Sequence, residues 1–149
     1  MYWWWRSFCL NYRKSKLILT EQQELVRNTA RDFAIKYLEP GAIERDDKAK
    51  FPHQEVKMMG DLGFMGVMVP EKWNGAGMDT ISYSLIIEEI SRIDASAGVI
   101  VSVNNSLVCQ TLVNYGNDFQ NETYLKGLAK GDLLGSFSIS EPQSGSDAS

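Results

Sequence analysis

Histidine, cysteine and proline are scarce in this chain of 149 residues, at one, two and four. His53, Cys9 and Cys109 provide no disulfide framework and no CxxC spacing, which excludes a zinc site built from His and Cys. A reducing compartment fits this cysteine usage best. Nucleotide motifs are missing as well. There is no GxxxxGKS/T phosphate loop, and Gly75-Ala76-Gly77 lacks the third glycine of the dinucleotide fingerprint and follows a loop, so it is a turn. HExxH, GxSxG and paired Cys-His arrangements are absent. No basic stripe survives past residue 20, which argues against nucleic acid as a partner. The apolar runs fall short of the ~20 residues a membrane span needs, so no span is expected.

What is present is an ordinary globular composition. Hydrophobic residues make up 44% and charged residues 23%, enough to bury a core rather than stay disordered. The net charge of -4 hides an asymmetry. Arg6, Arg13, Lys14 and Lys16 stand in the first twenty residues with no acid, so the rest carries the whole acidic excess. Residues 1–19 form an extension with three adjacent tryptophans. Two readings stay open for it: a mitochondrial transit segment, or a poorly ordered or wrongly assigned start.

Helical patterning begins at Thr20, which forms a capping box with Gln23. Val26, Ala30, Phe33, Ala34 and Tyr37 follow at helical spacing, and Pro40-Gly41 is expected to end the run. Residues 42–50 read as a short solvated helix or turn. Pro52 opens another helix, with Val56, Met59 and Leu62 on its buried side and Gly63 near its end. Residues 64–78 read as a loop, extended at Val67-Met68-Val69-Pro70 and turning at Asn74-Gly75-Ala76-Gly77. Asp79 caps the next helix, whose stripe is Tyr83, Ile86, Ile87, Ile90 and Ile93. Residues 95–115 are apolar on most sides, the pattern of a helix buried in a larger assembly. Asn117 caps a last helix with Tyr124, Leu125, Leu128 and Ala129 on one side, stopped by Gly131.

The period then changes. Leu133, Leu134, Phe137 and Ile139 among glycine and serine read as one strand, and one strand makes no sheet. It runs into Ser140-Glu141-Pro142-Gln143-Ser144-Gly145-Ser146-Asp147. On the residues alone this is either an ordinary turn or a ligand loop. Its hydroxyls and amides suit a polar cofactor, and Gly145 permits close approach.

This stretch resembles the flavin-binding signature of the acyl-CoA dehydrogenases, a strand entering Thr/Ser-Glu-Pro-x-x-Gly-Ser-Asp. Other segments match in order: Phe64 to Glu71 resembles the family's Gly-x-x-x-Pro-Glu loop. Gly75-Ala76-Gly77-Met78-Asp79 resembles its Gly-Gly-x-Gly turn, with Asn74 where glycine is usual. Glu88 to Arg92 and Val101 to Leu107 resemble its central helices, the latter most like the short-chain, butyryl-type branch. The resemblance covers residues 18–149. It implies a mainly α fold: a helical-bundle amino-terminal domain over residues 20–131, followed by the first strand of a middle β-domain over residues 132–149. It also implies FAD as cofactor. Phe137, Ile139 and Ser140 would contact the flavin ring, Gly145 and Ser146 the cofactor's chain, and Ser146 also the acyl-CoA substrate. Ser140 stands where threonine is commonest, and either supplies a hydroxyl.

The reaction implied is α,β-dehydrogenation of an acyl-CoA, with electrons passing to an electron-transferring flavoprotein. The family's catalytic glutamate lies in its carboxy-terminal domain, so no catalytic residue is expected among these 149. A homotetramer is implied at full length. The location implied is the mitochondrial matrix in a eukaryote and the cytoplasm otherwise. Two alternatives remain: a non-catalytic helical module that mediates subunit contacts, and an acyl-CoA oxidase or flavin monooxygenase on the same fold. Outside the motif, Glu88 and Glu89 read as a solvated or ion-paired surface, Glu141 as structural, His53 as surface and Cys109 as packing. The methionines read as core filling before an acyl pocket, and Trp73 as a surface aromatic or a subunit contact.

Overall fold

The computed structural model describes residues 18–147, and the extension read at 1–19 lies almost wholly outside them. Helix α1 (Glu21–Phe33) starts where the sequence placed it: Thr20 and Gln23 form the reciprocal capping box. The helical run does not stop at Pro40. A π-helical turn, Ala34–Leu38, passes into a 3-10 turn, Glu39–Gly41, with Pro40 in its first positions, where no amide donor is needed. Then come α2 (Ala42–Asp47), which buries no residue, and α3 (His53–Asp61), which buries Val56 and Met59. Beyond a loop lie α4 (Thr80–Ser91), α5 (Ala95–Ser102), a π turn Val103–Cys109 and α6 (Gln110–Tyr115). The last helix joins α7 (Asp118–Gln120), a π turn Asn121–Leu125 and α8 (Lys126–Ala129), and begins with a second capping box between Asn117 and Gln120.

Packing forms two apolar clusters. The larger holds Val26, Phe33 and Leu38 against Val56, Met59, Phe64, Ile86, Ile90 and Val101. The smaller holds Val69, Cys109, Leu125, Leu128 and Ala129. The loop 64–78 runs between them. It is irregular, as expected, but Val67 is αR within a turn rather than extended. Its amides bond within the loop: Ala76 N–H donates to Gly66 O at 2.9 Å and Met78 N–H to Val67 O at 2.8 Å. Asn74 and Gly77 take the positive φ values its turns require.

Several expectations need correction. Leu62 follows α3 as its cap residue and is exposed. Tyr37 and Tyr124 are exposed, while their neighbours Leu38 and Leu125 are fully buried. Both pairs sit in π turns, whose extra residue advances the buried face by one position. The helix Ala95–Tyr115 reaches 21 residues with mean hydropathy 1.3, long and apolar enough to cross a membrane by length and composition. A third of its most apolar stretch is buried, and its buried Asn104 and Asn105 bond the loop carbonyls of Met65 and Phe64. Residues 134–140 form no strand; the one β-type pairing among the described residues is the isolated bridge Glu141–Ser144. A strand's backbone groups bond to a neighbouring strand, and the described residues hold none.

Candidate functional site

The tail after α8 builds one wall of a cleft. Gly131, at φ +66°, ends the helix, and Asp132 and Leu133 both donate their amides to Gly127 O, at 2.9 and 3.1 Å. Lys57 pairs with Asp132 at 2.5 Å and holds the turn against α3. Residues 133–137 then run along the helix Ala95–Tyr115. Between them lies a cleft of about 490 Å³, lined by Leu107, Val108, Thr111 and Leu112, by Tyr124 and Leu128, and by the tail itself. That volume suits a small organic group. Thr111 and Tyr124 bring hydroxyls to the helical walls, but the Thr111 hydroxyl is spent on Leu107 O, at 2.6 Å. No carboxylate lines it.

The five residues picked out from sequence do not share one pocket. Phe137 reaches the cleft and is 47% exposed. Ile139 is 57% exposed, and Ser140, Gly145 and Ser146 lie on the exposed segment beyond. Within that segment a tight turn is closed by Glu141 N–H to Ser144 O at 2.8 Å and Ser144 N–H to Glu141 O at 3.1 Å. The Ser144 hydroxyl donates to Asp147 O at 2.5 Å. The Ser140 hydroxyl bonds no group among the described residues, and a β-carbon at Gly145 would meet nothing within 4 Å. The turn therefore presents a free hydroxyl and an unobstructed backbone, which fits a polar cofactor approaching from outside.

Carboxylates elsewhere are structural. Glu88 is exposed, but Glu89 is 4% exposed, so the surface reading fails for it while the ion pair holds. Arg31 donates to it twice, Nε at 3.0 Å and Nη2 at 2.5 Å, and Arg92 once at 3.0 Å. The Arg31 hydrogen bonds hold the Glu89 carboxyl below its ordinary range, against the cost of burial. A buried carboxylate held by two arginines is a weakened base. Burial alone pushes the Cys109 thiol up to about 12, which keeps it inert. His53 is exposed beside the Phe51 ring at 4.7 Å. Half-buried Trp73 sits under Lys72 and Lys126, 5.0 and 5.8 Å from its ring centre. Met59 and Met65 fill the core; Met58, Met68 and Met78 are partly buried. Among the described residues no group of three His, Cys, Asp or Glu could hold a metal ion.

Sequence reading missed the buried polar centre. Asn105 accepts Val67 N–H at 2.8 Å and donates to Phe64 O and Val101 O, both at 2.9 Å. Arg45 bridges Asp94, Glu55 and Leu38 O. The signal for the first was available: two asparagines inside an otherwise apolar helix must find partners.

Residues 20–132 match the family model for the acyl-CoA dehydrogenase N-terminal domain. The bovine (Bos taurus) mitochondrial short-chain specific acyl-CoA dehydrogenase is 44% identical over 146 residues, covering 98% of this chain and 35% of the relative. The butyryl-CoA dehydrogenase of Megasphaera elsdenii superposes with a TM-score of 0.82 at 33% identity, over 89% of this chain and 36% of that one. An acyl-CoA dehydrogenase from Bacillus anthracis, solved as a complex with FAD, gives a TM-score of 0.80 at 30% identity, over 87% and 22%. The chain thus spans about a third of the length of the curated relatives it matches.

Proposed function

The chain belongs to the acyl-CoA dehydrogenase family, and we propose that it serves as the helical wall and first flavin-contacting segment of an FAD-dependent short-chain acyl-CoA dehydrogenase. The observation that carries this reading is the pairing of an apolar cleft with an exposed hydroxyl-bearing turn on one continuous tail, residues 133–147. Residues 20–131 are the helical domain and 132–149 the start of the β-domain.

When bound, FAD supplies the acceptor for the hydride leaving the substrate's β-carbon. This chain's residues do the holding. Phe137 and Ile139 offer apolar contact to the ring, and Ser140 offers its hydroxyl to the polar edge. Gly145 would let the cofactor's chain approach, since nothing lies within 4 Å of a β-carbon there, and Ser146 would contact both that chain and the acyl-CoA. The apolar cleft walls suit a short acyl chain. The proton at the α-carbon requires a positioned carboxylate; Glu89 is held by arginines and no acid lines the cleft, and the family resemblance implies that the base lies in a carboxy-terminal domain. A homotetramer that hands electrons to an electron-transferring flavoprotein completes the proposal. Its setting is the mitochondrial matrix of a eukaryote or the cytoplasm of a bacterium.

The test is a chimera in which residues 20–147 replace the matching part of the bovine short-chain enzyme. It should purify yellow and convert butyryl-CoA to the trans-2-enoyl thioester. Ser140→Ala should weaken FAD binding about tenfold, the cost of one hydrogen bond to the cofactor. A folded chimera that stays colourless and refuses added FAD refutes the proposal.

A further inference from the structure

We propose that Asn104, Val108 and Gly135 form a socket that fixes where the tail leaves the helical domain, making them positioning residues for the flavin loop; only this last role rests on the flavin reading. Asn104 is 2% exposed. Its Nδ2 donates to Met65 O at 2.8 Å and to Leu128 O at 3.1 Å. Those two carbonyls fix the amide's orientation, since the reverse would set oxygen against oxygen. Oδ1 must then face the tail, where it accepts Gly135 N–H at 3.4 Å. Val108 lies one helical turn further along the same helix. A β-carbon at Gly135 would stand 2.4 and 2.8 Å from the two Val108 methyls, so the backbone is seated directly on that side chain.

The place of this grip gives it consequence. Leu134 and Gly135 border both the cleft of about 490 Å³ and a second cavity of about 220 Å³ beside Phe51 and Val103, so the socket decides how the space is divided. Past Gly135, residues 136–140 make no backbone hydrogen bond among the described residues until the turn at Glu141. Five residues of extended chain reach at most about 18 Å, so the seat of Gly135 limits where Ser140 can be presented.

Amide hydrogen exchange on the unaltered chain is the first test. Gly135 should exchange about tenfold more slowly than Ser136 to Ser140. Gly135→Ala should abolish that difference while α1 and α4 keep their protection. Val108→Ala in the same chain, which removes both crowded methyls, should recover part of it. Equal exchange at Gly135 and Ser138 in the unaltered chain overturns the socket. So does a Gly135→Ala chain that exchanges unchanged, or a double variant that recovers nothing. In the bovine chimera, Gly135→Ala should lower FAD affinity, with partial rescue by Val108→Ala. Unchanged affinity there overturns the positioning role. A chimera that binds no FAD while exchange confirms the socket removes the flavin reading and leaves the socket standing.

Discussion

The helix pair α1–α4 and the tail from Leu133 onward both carry regular apolar residues, yet only one of them buries these. Val26, Phe33, Ile86 and Ile90 are at most 7% exposed, whereas Leu133, Leu134, Phe137 and Ile139 are 44 to 57% exposed. The difference lies in where backbone bonds go. A helix satisfies its own amides and then needs only one face covered, which α1 and α4 provide for each other. A strand must find its partner elsewhere in the sequence. The helical half therefore carries its own partners. The tail carries the residues proposed to meet the cofactor, beyond the proposed seat at Gly135.

The helical half should owe much of its firmness to one polar hub. Arg45 and Asp94 are nearly buried, and Asp94 accepts Arg45 Nη2 at 2.8 Å and Nε at 3.2 Å while its other oxygen caps Ala97 N–H at 3.0 Å. Asp94→Ala leaves a cation without its main partner and a helix without its cap. The expected loss is about 3–5 kcal/mol in urea unfolding of the chain. A loss below about 1 kcal/mol would mean the first core does not depend on its polar hub.

The two halves were not equally legible. Caps at Thr20, Asp79 and Asn117 were readable because a side-chain oxygen before an apolar run has few other uses. The stripe of Ile86 and Ile90 was readable because its period is 3.6. The three π turns were not, since no residue type marks them. They displaced the buried face onto Leu38 and Leu125, and they brought Asn104 and Asn105 inside together. Pro40 misled because proline is tolerated at the start of a helical turn as readily as after an end. The motif at residues 140–147 was legible only as a family signature, because none of its side chains is buried and so nothing sets a period.

Acid should weaken the helical half through its buried Glu89. Arg31 hydrogen bonds hold the folded Glu89 carboxyl below its ordinary 4.5. A depressed folded value means the stabilisation is complete above the ordinary value and is lost as pH falls through the folded one. Stability of the chain should therefore decline on the acid side below that range. Glu89→Gln should flatten this limb and cost about 1–2 kcal/mol at neutral pH, discounted because Arg31 is partly exposed. Parallel acid limbs for both chains in pH-resolved unfolding would show that the arginine contacts contribute nothing.

The smallest effect belongs to the tail and tests the other side of the comparison. Phe137 keeps 47% of its surface exposed, so truncation removes little apolar area from the folded chain relative to the unfolded one. Phe137→Ala should change the chain's stability by less than about 0.5 kcal/mol, as at an ordinary surface position. Met59→Ala, at a fully buried site in the first core, should cost about 2–5 kcal/mol in the same assay. The ratio of these two losses measures how far the tail is integrated with the helices. A large loss at Phe137 would mean the cleft closes over that ring in solution. In that case the wall facing a ligand would be folded shut, and the aromatic side chain would have to be displaced before anything else could bind there.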